Sequence, residues 1–285
     1  MVSSDEIFNE MEFNKSGLYF HPLITIITSK KIVKWILRAY ERFLIRRSDA
    51  VFVVNDSIGK ILAQHYNISQ PFTVRNCPEL VSSISRNNYL RDTLNISDNR
   101  KVLLYHGGFS ANRGLHNLVE SMVYLPDFTL VMMGYGPLKE ELAVYASDMG
   151  VDNRVAIIDA VPVNKLINVI SSADIGVMPI QGNILSYYLS LPNKIFECLM
   201  AGVPVAASNL PEMARIIMDH KVGVTFNPED PRDIAQVVAA TLRDPDYSSM
   251  RQRARSAALS VCNWEEEAKV FWNVYKNALD ARLGT

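Results

Sequence analysis

Lys194 and Glu197, three residues apart in one predicted helix, are the charged pair of this sequence best placed to bind a ligand. Ser190 is predicted to cap this helix, and Gly202 to end it in the left-handed conformation that glycine adopts at low cost. The first turn of a helix attracts anions, because its N–H groups are unpaired and its dipole is positive there. A lysine in that turn opposes the dipole, so its presence predicts a negatively charged ligand.

A glycine-rich loop at residues 106–114 follows a predicted strand and is a second candidate site. Gly107 and Gly108 would let a ligand approach the backbone amides, and the guanidinium of Arg113 can bind two phosphate oxygens. A tight turn from strand to helix needs the same glycines, so the loop by itself is compatible with both explanations. It matches neither the dinucleotide-binding glycine pattern nor the P-loop, which argues against nicotinamide binding and ATP hydrolysis.

The elements that must position these residues alternate between strands and helices from residue 102 onward. Near-continuous apolar runs predict strands buried on both faces, at residues 102–105, 128–133, 155–158, 175–179, 203–207 and 222–226. Predicted helices lie between and after them, at residues 115–124, 138–149, 163–171, 193–201, 211–218 and 231–243. The pattern predicts an α/β fold with a doubly wound parallel sheet, whose ligands bind at the carboxyl ends of the strands.

The composition is that of an ordinary globular protein, with 285 residues, 48% apolar and 21% charged, and a net charge of −1. This length suffices for two domains of moderate size. No apolar run approaches the roughly 20 residues that cross a bilayer, and no signal-peptide pattern begins the chain. We therefore expect a cytoplasmic protein. The three cysteines are far apart and lack metal-site spacing, which predicts reduced thiols and no bound metal.

Five motifs follow one another in order over residues 105–212. They are Tyr105-His-Gly-Gly-Phe, Met133-Gly-Tyr-Gly-Pro, Ala173-Asp-Ile-Gly-Val, Pro192-Asn-Lys-Ile-Phe-Glu and Leu210-Pro-Glu. The set resembles the donor-binding half of the family 4 (group 1) retaining glycosyltransferases, which have the GT-B fold. The resemblance implies an α/β protein with one complete Rossmann-like donor domain and an incomplete N-terminal α/β part.

The resemblance also implies roles for individual residues. Glu197 would bind the ribose hydroxyls of a nucleotide-sugar donor, and backbone amides near Asn193 would meet its diphosphate. Arg113 and Lys194 would be the catalytic cations, since fixed positive groups stabilise the charge that builds on the leaving diphosphate. The donor would be a UDP-sugar or a GDP-sugar, with no cofactor and no metal. The predicted donor-binding residues are Gly107, Gly108, Arg113, Gly134, Asn193, Lys194 and Glu197.

One position departs from the family pattern at the sugar end of the site. Leu189 occupies the place of the motif's first glutamate, eight residues before Glu197. Sugar recognition would then fall to another polar residue of the same loop, Asn183, Ser186 or Tyr187.

The chain before residue 102 is too short for a complete acceptor domain. The sequence predicts an incomplete N-terminal part at residues 1–88, the donor domain at 89–260, and a C-terminal helix at 261–285 that packs back toward the N-terminal part. Asp5 and Glu6 align with the end of a strand in related enzymes, and residues 51–54 are predicted to form another strand. So small a sheet has exposed edges. Either a second chain completes it or the chain is truncated.

Residues 30–47 are predicted to form a basic amphipathic helix with a charge of +6. Its basic residues recur at every fourth position from Lys30 to Arg46, beside apolar ones. Such a helix either lies on an anionic membrane surface or covers the small sheet with its basic face in water. Nucleic-acid binding is not predicted, because the chain as a whole is nearly neutral.

The predicted function is therefore transfer of a sugar, of the hexosyl type, from a nucleotide-diphosphate donor to a glycan or lipid-linked acceptor with retention. Polysaccharide biosynthesis, in the cytoplasm or at the inner face of the membrane, is the expected setting. The alternative is a nucleotide-sugar-binding subunit or inactive remnant that needs a partner chain for the acceptor site. A nucleotide-sugar epimerase of the same fold is disfavoured by the order of the motifs.

Overall fold

The computed structural model describes residues 31–283. These residues form two compact units, one that ends at Arg75 and resumes at Lys269, and one that runs from Asn76 to Ala268. The predicted motif at Asp5 and Glu6 lies outside the described residues. The domain boundaries predicted after residues 88 and 260 stay predictions.

The smaller unit contains a two-stranded parallel sheet. Its elements in chain order are α1 (Lys31–Ile45), β1 (Phe52–Val53), α2 (Asp56–Tyr66) and β2 (Phe72–Thr73). The side chain of Asn55 begins α2 by accepting a hydrogen bond from the N–H of Ile58, 2.9 Å away. The predicted basic helix is present as α1, and the predicted strand at residues 51–54 is present as β1.

The larger unit is built on a six-stranded sheet in which all neighbouring strands are parallel. The strands are β3 (Lys101–Gly108), β4 (Phe128–Tyr135), β5 (Val155–Ile158), β6 (Ile175–Met178), β7 (Val205–Ser208) and β8 (Gly223–Phe226). They lie side by side in the order β5-β4-β3-β6-β7-β8. The predicted α/β fold with a parallel sheet is confirmed.

Helices cover both faces of this sheet. They are α3 (Tyr89–Leu94), α4 (Leu115–Ser121), α5 (Lys139–Asp148), α6 (Val163–Ile170), α7 (Leu185–Tyr188), α8 (Asn193–Met200), α9 (Pro211–His220), α10 (Pro231–Arg243) and α11 (Tyr247–Ser260). The six helices predicted for this region are all present. The sequence did not predict α3, α7 or α11.

Alternate residues of the central strands enter two separate apolar cores, one on each face of the sheet. Val102 and Leu104 of β3 belong to the core that contains residues of α6, α8, α9 and α11. Leu103 and Tyr105 belong to the other core, with residues of α4, α5 and α10. This alternation is expected where helices cover both faces of a sheet, because successive side chains of a strand point in opposite directions.

The sheet has a switch point between β3 and β6. The chain leaves β3 toward β4 on one side and later returns to place β6 on the other side of β3. Helix α4, which follows β3, and helix α8, which follows β6 after the short α7, lie on opposite faces. A crevice forms at such a point outside the carboxyl ends of the strands, and open α/β sheets bind their ligands there.

The last helix, α12 (Trp264–Leu283), contributes residues to both units. In the larger unit its Glu265 carboxylate accepts a hydrogen bond from the N–H of Leu80, 2.9 Å away. In the smaller unit the ring of Phe271 lies 5.1 Å from the ring of Phe52. Each contact ties one end of the helix to its own unit.

A buried carboxylate fastens the segment before β3 to the base of the larger sheet. Asp174, only 1% exposed, accepts hydrogen bonds from Arg91 at 2.9 Å and from the N–H of Val102 at 2.8 Å, and it also pairs with Arg86. A carboxylate removed from water is stable only when it has such partners.

Replacing Asp174 by asparagine is expected to lower the free energy of unfolding by about 3 kcal/mol, because Arg91 then stays buried without its charged partner. Urea-induced unfolding of the full chain measures the change. Asp148→Asn, at the exposed end of α5, is the matched control and should change the free energy of unfolding by less than about 0.5 kcal/mol. Equal stability of the two variants would contradict this role of Asp174.

Candidate functional site

Two loops are joined at the carboxyl ends of β3 and β6. Asn112, in the β3–α4 loop, has a left-handed backbone with φ of 62° and accepts hydrogen bonds from the N–H of Gln181 at 3.1 Å and from Nδ2 of Asn183 at 2.7 Å. Gly114 lies so close to the end of β6 that a Cβ would come within 1.9 Å of the Pro179 carbonyl oxygen. These contacts hold the two loops that carry the predicted site residues against each other.

The side chain of Lys194 crosses the end of β3 at Gly107. A Cβ on Gly107 would lie 2.5 Å from Cε and 2.6 Å from Nζ of Lys194, and its φ of +124° also disfavours other residues. The ammonium group lies 4.1 Å from the centre of the Tyr105 ring, within the range of a cation–π interaction. The absence of a side chain at Gly107 thus lets the lysine reach the aromatic ring.

The other two predicted glycines have different surroundings. Gly134 pairs with Gly107 across β3 and β4, and a Cβ there would lie 1.9 Å from the Gly107 carbonyl oxygen. Gly108 instead faces open space, since no atom of the described residues lies within 4 Å of the place its Cβ would take. Gly134 therefore serves the close approach of two strands, whereas Gly108 is open to a ligand.

Arg113 stands near this lysine and has a nitrogen without a partner. Its Nε is buried and makes no hydrogen bond within residues 31–283. Its guanidinium carbon lies 5.3 Å from the centre of the Tyr187 ring. A buried N–H without an acceptor is rare in proteins, and one beside a second cation suits an anionic ligand.

Helix α8 begins at Asn193 without a capping side chain. Pro192 occupies the N-cap position in an extended conformation, and no side chain accepts from the first N–H groups. The prediction that Ser190 caps this helix is wrong, because the helix begins three residues later. The Ser190 hydroxyl is buried and has no hydrogen-bond partner among the residues that the structure describes. Asn193 is exposed, and Leu189, at the position of the motif's first glutamate, is buried.

Glu197 is held by a histidine from β3. Nε2 of His106 lies 2.7 Å from Oε2 of Glu197, and the imidazole nitrogen must donate because a carboxylate only accepts. The histidine side chain is 6% exposed and the glutamate side chain 21%. The pair is largely removed from water, with part of the carboxylate still open to it.

The sequence predicts no role for His106, the first residue of the glycine-rich loop, and none for Tyr105. A signal was available, because alternation along β3 places His106 on the same face as Val102 and Leu104, which α8 covers. The alternation along β3 does not predict which residue of α8 contacts His106. Sequence reasoning also missed Asn112, whose contacts depend on the adjacency of two loops.

Two cations and one carboxylate determine the electrostatics of the site. Burial, and after it the charge of Arg113, lowers the pKa of Lys194 to about 7, although Glu197 acts in the opposite direction. Burial also lowers the pKa of His106, against the hydrogen bond to Glu197 and with the help of Lys194. His106 is therefore neutral at neutral pH, and the site is short of negative charge.

The predicted site residues thus converge on the switch point. Gly107 lies against both Lys194 and Gly134. Gly108 faces open space, and Arg113 is close enough for its charge to act on Lys194 at the start of α8. Within residues 31–283, no cluster of three His, Cys, Asp or Glu side chains is arranged to hold a metal ion. In the same part of the chain, no helix combines the length and apolarity needed to cross a membrane.

Residues 100–244, just over half of the chain, match the family model described as glycosyl transferases group 1. An uncharacterized glycosyltransferase of Methanocaldococcus jannaschii is 26% identical over 194 residues, which are 67% of this chain and 48% of that protein. The chain spans about half the length of the curated relatives it matches.

Solved structures share the fold. Sucrose-phosphate synthase from Thermosynechococcus elongatus superposes with a TM-score of 0.71 and 20% identity, over 85% of this chain and 61% of that one. HepE of Anabaena, crystallised with UDP and glucose, superposes with a TM-score of 0.72 and 15% identity, over 85% of this chain and 66% of that one. At such identities the likeness concerns the fold alone.

Replacing Lys194 by methionine is expected to stabilise the ligand-free chain at pH 7 and below. With a pKa of about 7 in the folded chain against an ordinary value of 10.5, the lysine binds its proton more readily when the chain is unfolded. Its contribution to stability therefore rises as the pH rises from about 7 to about 10. Urea unfolding across this range should show that rise in the wild-type protein and its loss in the variant.

Lys165→Met, at an exposed position on α6, is the matched control and should keep the wild-type pH profile. A Lys194→Met variant with the same profile as this control would contradict the lowered pKa of the half-buried Lys194.

Proposed function

Because the chain belongs to the glycosyl transferases group 1 family, we propose that it transfers a sugar from a nucleoside-diphosphate sugar to a glycan or lipid-linked acceptor. Its α/β fold with a parallel sheet is that of the GT-B glycosyltransferases. The observation that carries the proposal is the pair of cations, Arg113 and Lys194, beside the uncapped start of α8. The complex of HepE with UDP and glucose supports a nucleotide sugar as the donor.

The donor diphosphate would bind between Gly108 and the start of α8. Its negative charge would offset the repulsion between Arg113 and Lys194 and would provide an acceptor for the unpartnered Nε of Arg113. The N–H groups at the start of α8, which no capping side chain binds, would add hydrogen bonds to the same oxygens. Because an adjacent anion favours the charged form of lysine, the bound diphosphate would raise the pKa of Lys194 and keep its proton in place.

In the proposed reaction the bond between the anomeric carbon and the diphosphate oxygen breaks, and its electron pair stays on the diphosphate. The acceptor hydroxyl oxygen forms the new bond to the anomeric carbon, and its proton passes to the released diphosphate. Arg113 and Lys194 would stabilise the charge on the leaving group, which is largest in the transition state and product. Membership of family 4 and retention of configuration are proposed from the motif order.

Glu197 would accept hydrogen bonds from the ribose hydroxyls of a UDP-sugar or GDP-sugar, with no further cofactor. Leu189 is apolar and buried, so it offers no acceptor to the transferred sugar. Asn183 is a better candidate for that contact, because it is held by Asn112 and lines a cleft of about 630 Å³. The proposed sugar end of the site therefore lies on the side of β7 and β8, whose following residues line the same cleft.

A second candidate function is a nucleotide-sugar-binding subunit whose acceptor site is completed by a partner chain. It is favoured by the two-stranded sheet of the smaller unit, where Val54 and Phe72 are exposed. Sedimentation of the chain with and without UDP or GDP tests for assembly. Nucleotide binding without sugar transfer to lipid or glycan acceptors would favour this candidate over the transferase.

Peripheral membrane contact through α1 is a further part of the proposal. Trp35 is 71% exposed, and the apolar side chains of Ile36, Tyr40, Phe43 and Leu44 are exposed along the same helix. Basic residues of the helix lie beside them. Such a surface suits anionic phospholipid head groups, with apolar side chains inserted between them.

Lys194→Met and Arg113→Met are each expected to weaken UDP or GDP binding by about tenfold or more, since each removes a charge-assisted contact to the diphosphate. Titration calorimetry measures the dissociation constants, and uridine or guanosine, which lack phosphate, should bind equally to all variants. Lys165→Met is the matched control. Binding near pH 8 should also take up a proton onto Lys194, which shows as a dependence of the heat on the buffer's ionisation enthalpy.

The proposal fails if the wild-type chain binds neither UDP nor GDP. It also fails if the nucleoside and the nucleoside diphosphate bind equally well, because the cations would then contribute nothing.

Reversing the charge of Arg38 and Arg42 together is expected to weaken binding to vesicles that contain phosphatidylglycerol by about thirtyfold or more, at about 1 kcal/mol for each basic residue near the surface. Vesicles of phosphatidylcholine alone should bind little of either protein. Vesicle flotation measures the bound fraction. Lys165→Glu with Arg243→Glu, both exposed in the larger unit, forms the matched control. Equal flotation of the two double variants would contradict the membrane role of α1.

A further inference from the structure

His106 is a buried histidine for which the proposed transfer reaction has no chemical use. It follows Val102 and Leu104 on the same face of β3 and is the polar residue at the end of that apolar row. Only 5% of its surface is exposed. The two charged side chains that influence it are Glu197 and Lys194, both from α8. A polar ring at the end of an apolar face therefore meets the charged side of a helix.

The contact with Glu197 is the notable one. The imidazole Nε2 and the carboxylate Oε2 are 2.7 Å apart, short enough for a charge-assisted hydrogen bond. Among the residues that the structure describes, His106 is the one that hydrogen-bonds this carboxylate. A partly buried carboxylate needs a donor, and without one its orientation would be set only by the rotamers of a flexible side chain.

The protonation state of His106 fits a donor of fixed orientation. Burial and Lys194 lower the pKa of His106, so the ring is neutral at neutral pH and carries its single proton on Nε2. A neutral ring provides the hydrogen bond without adding a third positive charge next to Arg113 and Lys194. The carboxylate thus keeps its second oxygen, Oε1, for another donor.

We propose that His106 is a positioning residue, which fixes Oε2 of Glu197 so that Oε1 accepts hydrogen bonds from the ribose hydroxyls of the nucleotide. This inference rests on the proposed function, because it assumes a nucleoside diphosphate in the site. It assigns His106 no contact with the substrate and no part in bond breaking. Its effect is confined to the discrimination between nucleotides with and without ribose hydroxyls.

The test compares UDP with 2′,3′-dideoxy-UDP, and GDP with its dideoxy analogue, by calorimetry on the full chain. The wild-type protein is expected to prefer the ribose form of its nucleotide by about tenfold or more. The dideoxy analogue lacks the hydroxyls, so the Glu197 carboxylate loses the hydrogen bonds that they would donate. His106→Phe keeps a flat ring but has no donor, so the preference should fall to less than about threefold. Affinity for the dideoxy nucleotide should stay the same.

Two further variants separate positioning from packing. His106→Gln carries an N–H at a similar reach and should restore most of the preference, whereas His106→Asn is too short to reach Glu197 and should resemble His106→Phe. If His106→Phe does not fold, the ribose preferences of His106→Gln and His106→Asn are compared instead, and only the glutamine variant should keep most of the preference. In the double variant with Glu197→Gln, loss of His106 should cause no additional loss of discrimination.

The possible failures can be told apart. A wild-type chain that binds neither nucleoside diphosphate overturns the proposed function and this inference with it. A wild-type chain that prefers the ribose nucleotide, with the same preference in His106→Phe or His106→Asn, overturns the inference alone. Equal weakening of ribose and dideoxy nucleotides by these variants would show a purely structural role and would also overturn it.

Discussion

The crossing of Lys194 over Gly107 is the constraint on which the rest of the site depends. Any side chain at Gly107 would collide with the end of the lysine, and the lysine would then have to leave the ring of Tyr105. Position 134 must also be glycine, because only a residue without a side chain lets β4 lie against the Gly107 carbonyl oxygen. Two glycines that look like parts of a ligand loop are thus needed to bring a cation inside the protein.

That cation is held where water cannot solvate it well. Burial and the neighbouring Arg113 make its charged form costly, which is why its pKa falls to about 7. The unpartnered Nε of Arg113 and the uncapped start of α8 add further donors to the same crevice. One bound anion would interact favourably with the Lys194 ammonium, the Arg113 Nε and the start of α8 together. In the proposed reaction these donors interact most strongly with the leaving diphosphate when negative charge has moved onto it. Because the fold already holds them in place, they stabilise the transition state.

Much of the fold could be predicted because it follows from periodicity along the chain. The apolar runs of the central strands β3, β4, β6 and β7 are buried on both faces, and such runs predict parallel strands without knowledge of their neighbours. The predicted Ser190 cap is wrong for a related reason. Cap preference reports only local hydrogen bonding, whereas α8 begins at Asn193, three residues beyond Ser190. Helix α11 was missed because its apolar face carries several alanines, which give a weak pattern although Ala254 and Ala258 are fully buried.

The sequence by itself determined the parallel α/β fold, the loops at the carboxyl ends of its strands, and Arg113, Lys194 and Glu197 as the charged residues in and just after those loops. These properties depend on residue type and on spacing within a few turns. Only the tertiary structure decided which of them touch. His106 and Glu197 are 91 residues apart and meet because β3 and β6 are neighbours at the switch point. Contact between distant residues depends on the order of the strands, and periodicity along the chain carries no information about that order.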